Sequence, residues 1–281
     1  MTAFLQERFV EAGGGRIRYL AAGAGEPTLA LWPGLGGTGE AFLRLLREGP
    51  ERGCRIVALD PPGHGRSSRM PLGGGADAAA IFTAVLDDAG AEAAVIGGHS
   101  YGAVAALAGL AASPPLSARV QGLLLYDGGY LSADVTEKDP RESCEQHISG
   151  FTFATWEELF AAGRAAAKRW DEDLEAAARA AMVERDGRIR LRVDVETCTQ
   201  AIHFVDASAP AKLPPLGTGR ALLLRAGQPP EMEEERARGV LALHEKIPAL
   251  EVQVLSGVTH ELLEEEPESV AQATWAFLRS L

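Results

Sequence analysis

Apolar residues in this chain come in short, unbroken runs, each closed by glycine or proline. The runs are TLALWPG (28–34), RIVALDPPG (55–63), AAVIGGHS (93–100), VQGLLLYDGG (120–129), RALLLRAG (220–227) and LEVQVLSG (250–257). They lack the alternation of a half-exposed strand, which predicts strands buried on both faces. Between them, 39–48, 76–90, 101–112, 232–246 and 267–280 carry helical spacing. Residues 8–21 predict two more short strands around Gly13-Gly14-Gly15. Strands alternating with helices predict an α/β fold: a mostly parallel central sheet of about eight strands, flanked by helices.

The rhythm stops over 131–215. WEELFAAGRAAAKRW (156–170) and DEDLEAAARAAMVERD (171–186) have helical, Ala-rich spacing, and KLPPLGTG (212–219) leads back to the strand pattern. The chain therefore divides into a first core part (1–130), a helical cap (131–215) and a second core part (216–281).

Charge and cysteine content narrow the partners. With 27 basic and 39 acidic residues the formal charge is −12, which argues against nucleic acid or an anionic membrane as main partner. Cys54, Cys144 and Cys198 form no C-x-x-C and no zinc-type spacing, so free buried thiols in a reducing compartment are expected. The first residues, MTAFLQERFVEAGGG, hold no long apolar leader, and no run nears the roughly 20 apolar residues of a membrane span. A cytoplasmic location is the expectation; the oligomeric state is not legible.

Four loops at strand ends carry candidate chemistry. Gly98-His99-Ser100-Tyr101-Gly102 has the form G-x-S-x-G between an apolar strand and a small-residue helix, the context of a nucleophile elbow. Such a sharp reversal forces Ser100 into a strained backbone, and side chains at positions 98 and 102 would strike neighbouring backbone. Upstream, Pro33-Gly34-Leu35-Gly36-Gly37-Thr38 lacks the Lys of a phosphate loop. The Leu35 N–H paired with the Tyr101 N–H instead fits an oxyanion site. Asp60-Pro61-Pro62-Gly63-His64-Gly65-Arg66-Ser67 reads as a rigid turn closed by Asp60, Arg66 and Ser67, with His64 a weaker candidate base than His260. His260 follows the last strand, where an imidazole can reach and activate Ser100.

In their order and spacing, GHSYG, PGLGGT, DPPGHGRS and the late His260 resemble the α/β-hydrolase superfamily, in its helical-cap branch, over nearly the whole chain. The resemblance implies a Ser–His–acid triad. Its usual acid position, after RALLLRAG, reads Gln228-Pro229-Pro230-Glu231-Met232 and has no Asp. Two carboxylates remain open. Asp127 ends an earlier strand beside Gly128-Gly129, an arrangement similar to that of the haloalkane dehalogenases, and is preferred; Glu231, flanked by prolines, is the alternative.

The expected activity is that of a serine carboxylesterase acting on small or medium apolar esters, with no metal or organic cofactor. Carbon–carbon hydrolysis, thioester hydrolysis or acyl transfer on the same residues is the alternative. A low-turnover binding protein on a hydrolase scaffold is a rival of another class, motivated by the missing Asp. Trp32, Gly34, His99, Tyr130 and Trp156 are candidate substrate contacts, with Phe204, His147 and His203 less favoured.

Overall fold

The computed structural model describes residues 5–131, 139–216 and 219–281. The start of the expected cap (132–138) and Gly217-Thr218 of the return segment lie outside the described residues.

The chain opens with an antiparallel hairpin, β1 (Gln6–Ala12) and β2 (Gly15–Ala22). Then come β3 (Thr28–Trp32), α1 (Leu43–Glu51), β4 (Arg55–Leu59), α2 (Gly75–Asp88), β5 (Ala94–His99), α3 (Tyr101–Ala112), α4 (Pro114–Arg119) and β6 (Val120–Tyr126). An insertion contributes α5 (Pro140–Gly150), β7 (Thr152–Phe153), α6 (Trp156–Ala166), α7 (Glu172–Ala181), β8 (Met182–Arg185), β9 (Arg188–Leu191) and α8 (Val195–Ala207). The core resumes with β10 (Ala221–Ala226), α9 (Glu233–Lys246), β11 (Leu250–Leu255), α10 (Leu262–Glu265) and α11 (Pro267–Arg279).

Eight strands form one sheet in the order β1-β2-β4-β3-β5-β6-β10-β11. Only the pairs β1/β2 and β2/β4 are antiparallel. This is the mostly parallel α/β sheet that the unbroken apolar runs predict. Those runs lack alternation because both faces are covered. In β3, Leu29 and Leu31 join the layer of Leu46 and Trp275, from α1 and α11; Ala30 and Trp32 join that of Phe82 and Leu107, from α2 and α3.

From β3 the chain steps outward to β4, then returns to β5 on β3's other side and continues through β6, β10 and β11. The strand order thus reverses between β3 and β5. At such a point neighbouring loops diverge and leave a crevice at the carboxyl ends of the strands. The loop after β3, Ser100 after β5, Asp127 after β6 and the loop after β11 all belong to that edge.

The insertion departs from its expected all-helical character. The segment 171–186 is helical only to Ala181; β8 and β9 then form a hairpin, and β7 pairs with β9 to complete a small antiparallel sheet. Its turn is Asp186-Gly187, both with positive φ, a pair suited to a two-residue hairpin turn. The alanines before it masked the change of period. A second correction concerns the thiols. Cys144 on α5 and Cys198 on α8 form a disulfide with Cα atoms 5.9 Å apart, whereas Cys54 is free and buried. The pair is 54 residues apart in sequence, and only the packing of α5 on α8 brings it together. Among the described residues no helix is long and apolar enough to cross a membrane.

Candidate active site

Ser100 sits between β5 and α3 with φ 53° and ψ −115°, a backbone conformation that L side chains rarely adopt. The surroundings impose it. Gly102 lies so close to the Trp32 and Pro33 carbonyls that a Cβ would overlap them, and Gly128 presses in the same way on the Ser100 backbone. The elbow is therefore wedged between the ends of β3 and β6. Tyr101 is the first residue of α3, so its N–H has no partner within the helix. Leu35 belongs to a turn in which the Gly37 N–H donates to the Gly34 carbonyl (3.0 Å).

Asp127 is the second non-glycine residue here with positive φ (41°). Its N–H donates to the Leu224 carbonyl (2.7 Å), which pins it between β6 and β10. Its carboxylate is 4% exposed and accepts three hydrogen bonds. They come from the Tyr130 hydroxyl (2.6 Å) and the Ala226 N–H (2.9 Å) on Oδ1, and from His260 Nδ1 (2.7 Å) on Oδ2. Burial alone raises a carboxyl's pKa, but these donors outweigh it and hold Asp127 below the ordinary carboxylate value.

A carboxylate only accepts, so His260 carries its proton on Nδ1 and leaves Nε2 with a lone pair. Burial works against a charged His260 ring. The hydrogen bond and charge of Asp127, with Glu261 adding, exceed that effect and hold its pKa above the ordinary histidine value. The carbonyl of His260 accepts from His99 Nε2 (2.9 Å), and the two rings lie tilted at 37° with centroids 4.8 Å apart. His99 is itself neutral: burial, and then the neighbouring His260 charge, push its pKa down to about 4.

Ser100, His260 and Asp127 line one pocket together with Leu35 and Tyr101. Its remaining wall is apolar: Val104 from α3, Leu131, and Ala201, Ile202 and Val205 from α8. The α8 residues follow Cys198 at steps of three, four and seven, so all four share one helix face.

Several expected contacts lie elsewhere. Glu231 is exposed in a turn at Pro230–Met232, and Asp127 is the carboxylate bonded to His260. Trp32 is fully buried against Phe82 (centroids 5.4 Å apart) because its place in β3 turns it towards α2. Trp156 packs on Phe160 inside the insertion's own apolar cluster. Tyr130 is buried with its hydroxyl committed to Asp127, and Phe204 is buried edge-on against Tyr101. Gly34 and His99 stand behind Ser100 rather than in the pocket wall. His147 and His203 are exposed.

His64 is 1% exposed with Nδ1 bonded to the Pro62 carbonyl (2.9 Å), and burial pushes its pKa to about 4. The turn around it is closed as expected. Asp60 accepts from the Gly39 and Arg66 N–H groups (2.9 Å each), and the Ser67 hydroxyl donates to the Asp60 carbonyl (2.7 Å). Val104, Leu131, Ala201, Ile202 and Val205 carry no mark as wall residues in the sequence. The apolar spacing of the α8 three is readable in the sequence, but the surface it faces is not.

A model of the Alpha/beta hydrolase family matches residues 29–273. The chain belongs to the alpha/beta hydrolase family. Among curated relatives of this hydrolase, the putative non-heme haloperoxidase of Mycobacterium phage D29 is 34% identical over 97 residues, 34% of each chain. The chain thus aligns with about a third of that relative's length. Among solved structures, E-2-(acetamidomethylene)succinate hydrolase superposes with a TM-score of 0.77 at 18% identity, covering 98% of this chain and 99% of its own. The thioesterase domain from the curacin biosynthetic pathway gives 0.70 at 20% identity, covering 96% and 99%. At these identities the likeness establishes the fold.

Proposed function

We propose that this hydrolase cleaves carboxylic esters of small or medium apolar substrates through an acyl-enzyme on Ser100. The observation that carries the reading is the 2.7 Å bond from His260 Nδ1 to the buried Asp127, which leaves Nε2 as the basic nitrogen of a ring that lines the same pocket as Ser100. His260 takes the Ser100 proton as Oγ bonds to the ester carbonyl carbon. It then gives that proton to the departing alkoxide as the carbon–oxygen bond breaks. Water, deprotonated by His260, attacks the acyl-enzyme and frees the acid and Ser100. The Leu35 and Tyr101 N–H groups hold the oxyanion; one such donor is worth about 2.7–4 kcal/mol of barrier. Asp127 fixes the His260 tautomer and stabilises its imidazolium.

The segment 131–215 acts in this reading as a cap, because α8 supplies one wall of the pocket. The expected partner is a small uncharged molecule. A cytoplasmic location meets one counter-observation: the Cys144–Cys198 disulfide persists best in oxidising surroundings.

The test is hydrolysis of short p-nitrophenyl esters by the protein and by Ser100→Ala, with fluorophosphonate labelling of both. Turnover and labelling that vanish together in Ser100→Ala support the reading; undiminished turnover in the variant ends it. Thioester hydrolysis or acyl transfer would use the same residues, and the thioesterase neighbour makes an acyl thioester the first alternative substrate to assay.

A further inference from the structure

Esters differ at two ends, and the pocket treats those ends differently. The leaving alkoxide must take its proton from His260, a pocket-lining residue whose side chain is 47% exposed. The opposite side is apolar: Tyr101, Val104 and Ala201 are buried, and Leu131, Ile202 and Val205 are half-buried. The alcohol therefore departs on the His260 side towards solvent, and the acyl group lies along the apolar side.

Two quantities describe what fits there. The cavity measures about 200 Å³. A dry apolar cavity of about 150 Å³ holds one benzene, so this one holds roughly six to eight non-hydrogen atoms. Charge is the second. Among the described residues no Lys or Arg lines the pocket. Asp127 is committed to three donors, and the Arg236 guanidinium donates to the Pro229 carbonyl (2.8 Å) and to that of Gln228. An acyl group carrying its own carboxylate would lie unpaired near Asp127, a desolvation that nothing in the wall offsets.

We infer that the apolar side, walled by Val104, Leu131, Ala201, Ile202 and Val205, selects an uncharged aliphatic acyl group of at most about eight non-hydrogen atoms. The selection falls on the acyl and not the alcohol side, and Ile202 and Val205 set the length limit. This rests on the ester reading above and sharpens its substrate class.

The experiment is a series of p-nitrophenyl esters from acetate to dodecanoate, with the hemisuccinate as the anionic member. The expected kcat/KM peaks between butyrate and octanoate, falls at least tenfold by dodecanoate, and is at least a hundredfold lower for the hemisuccinate than for the butyrate. Changing the alcohol to 4-methylumbelliferone leaves the optimum in place. Val205→Phe moves it to shorter acyl groups, and Ile202→Ala to longer ones. A flat length profile, hemisuccinate turnover equal to butyrate, or an optimum that neither variant moves overturns the inference while leaving the ester reading intact. If no ester is turned over, the ester reading fails by itself and ligand-observed NMR decides the pocket. Hexanamide binding that Val205→Phe weakens, with no succinamate binding, then upholds the acyl-group selection. Absent hexanamide binding, or equal binding of succinamate, overturns it.

Discussion

Around Asp127 a buried carboxylate holds three donors, one of them the half-exposed His260, whereas the insertion's ion pairs to the core rest on basic side chains that water reaches. Asp127 gathers donors from Tyr130, Ala226 and His260, all at 2.6–2.9 Å, beyond the carboxyl ends of β6, β10 and β11. The insertion's links include Lys168–Glu265 and Arg47–Asp173, whose basic members are 52% and 45% exposed. Two of its apolar clusters are small, one around Leu159, Phe160, Met182 and Ile189 and one around the disulfide, and α8 joins the main core, through Ala201 and Phe204. The difference separates two tasks. Placement of reacting groups within fractions of an ångström belongs to the sheet edge, and the wall that meets substrate belongs to a less tightly bound piece. Changes in the insertion should alter which acyl group is accepted, and changes at the sheet edge should alter whether reaction occurs.

The largest expected effect is therefore at the sheet edge. Asp127→Asn keeps the shape but presents an amide that no longer fixes the His260 tautomer, so kcat should fall about 10⁴-fold. Glu231→Gln, made at an exposed turn, should change it less than about twofold. The same pair separates in pH. The base works only when neutral, and Asp127 raises the His260 pKa, so kcat/KM falls as pH drops through a midpoint above the ordinary histidine value of about 6.5. Without the Asp127 charge, burial is the leading influence left, and the midpoint of any residual activity should move down. An Asp127→Asn profile superimposable on that of the parent would transfer the role to another carboxylate.

The disulfide comes next. Closing a 54-residue loop is worth about 4 kcal/mol in the chain-entropy picture. Paired Cys144→Ser and Cys198→Ser should release that from the insertion first. Hydrogen exchange in α5 and α8 should quicken while β5 and β6 stay protected, and the hexanoate preference should broaden because Ile202 and Val205 lose their anchor. Equal loss of protection in both regions would show a single cooperative unit.

What could be read beforehand follows the same division. Runs buried on both faces announce their strands without reference to neighbours, and Ser100 announces itself through the glycines that its turn needs. The same lack of alternation hides which face each residue takes, which is why Trp32, turned towards α2, stands among the expected substrate contacts. The choice between Asp127 and Glu231 depends on the angles at which β6 and β10 deliver their loops to the one after β11, and local spacing does not carry those angles. Tyr130 looks like a pocket aromatic until its hydroxyl is seen on Asp127. The Cys144–Cys198 pairing and the role of Ile202 and Val205 both depend on how α5 and α8 pack, information spread over the whole insertion.

The smallest expected effect lies where the two regions touch. Lys168, from the insertion, donates to the Gly257 carbonyl (2.8 Å) and to Glu265 (2.5 Å). The Glu265 carboxylate also accepts from the Thr259 N–H (3.1 Å) and hydroxyl (2.6 Å), one residue before His260. The insertion thus reaches the loop that carries the base, but through an ammonium group that is largely hydrated. Such a pair contributes at most about 1 kcal/mol, and the Glu265–Thr259 bonds survive without it. Lys168→Ala should therefore lower kcat/KM on butyrate less than about fivefold, and the deficit should shrink as added salt weakens the parent's own ion pair. A loss approaching that of Asp127→Asn would mean that the insertion helps to hold His260, and the separation between chemistry and selection would no longer stand.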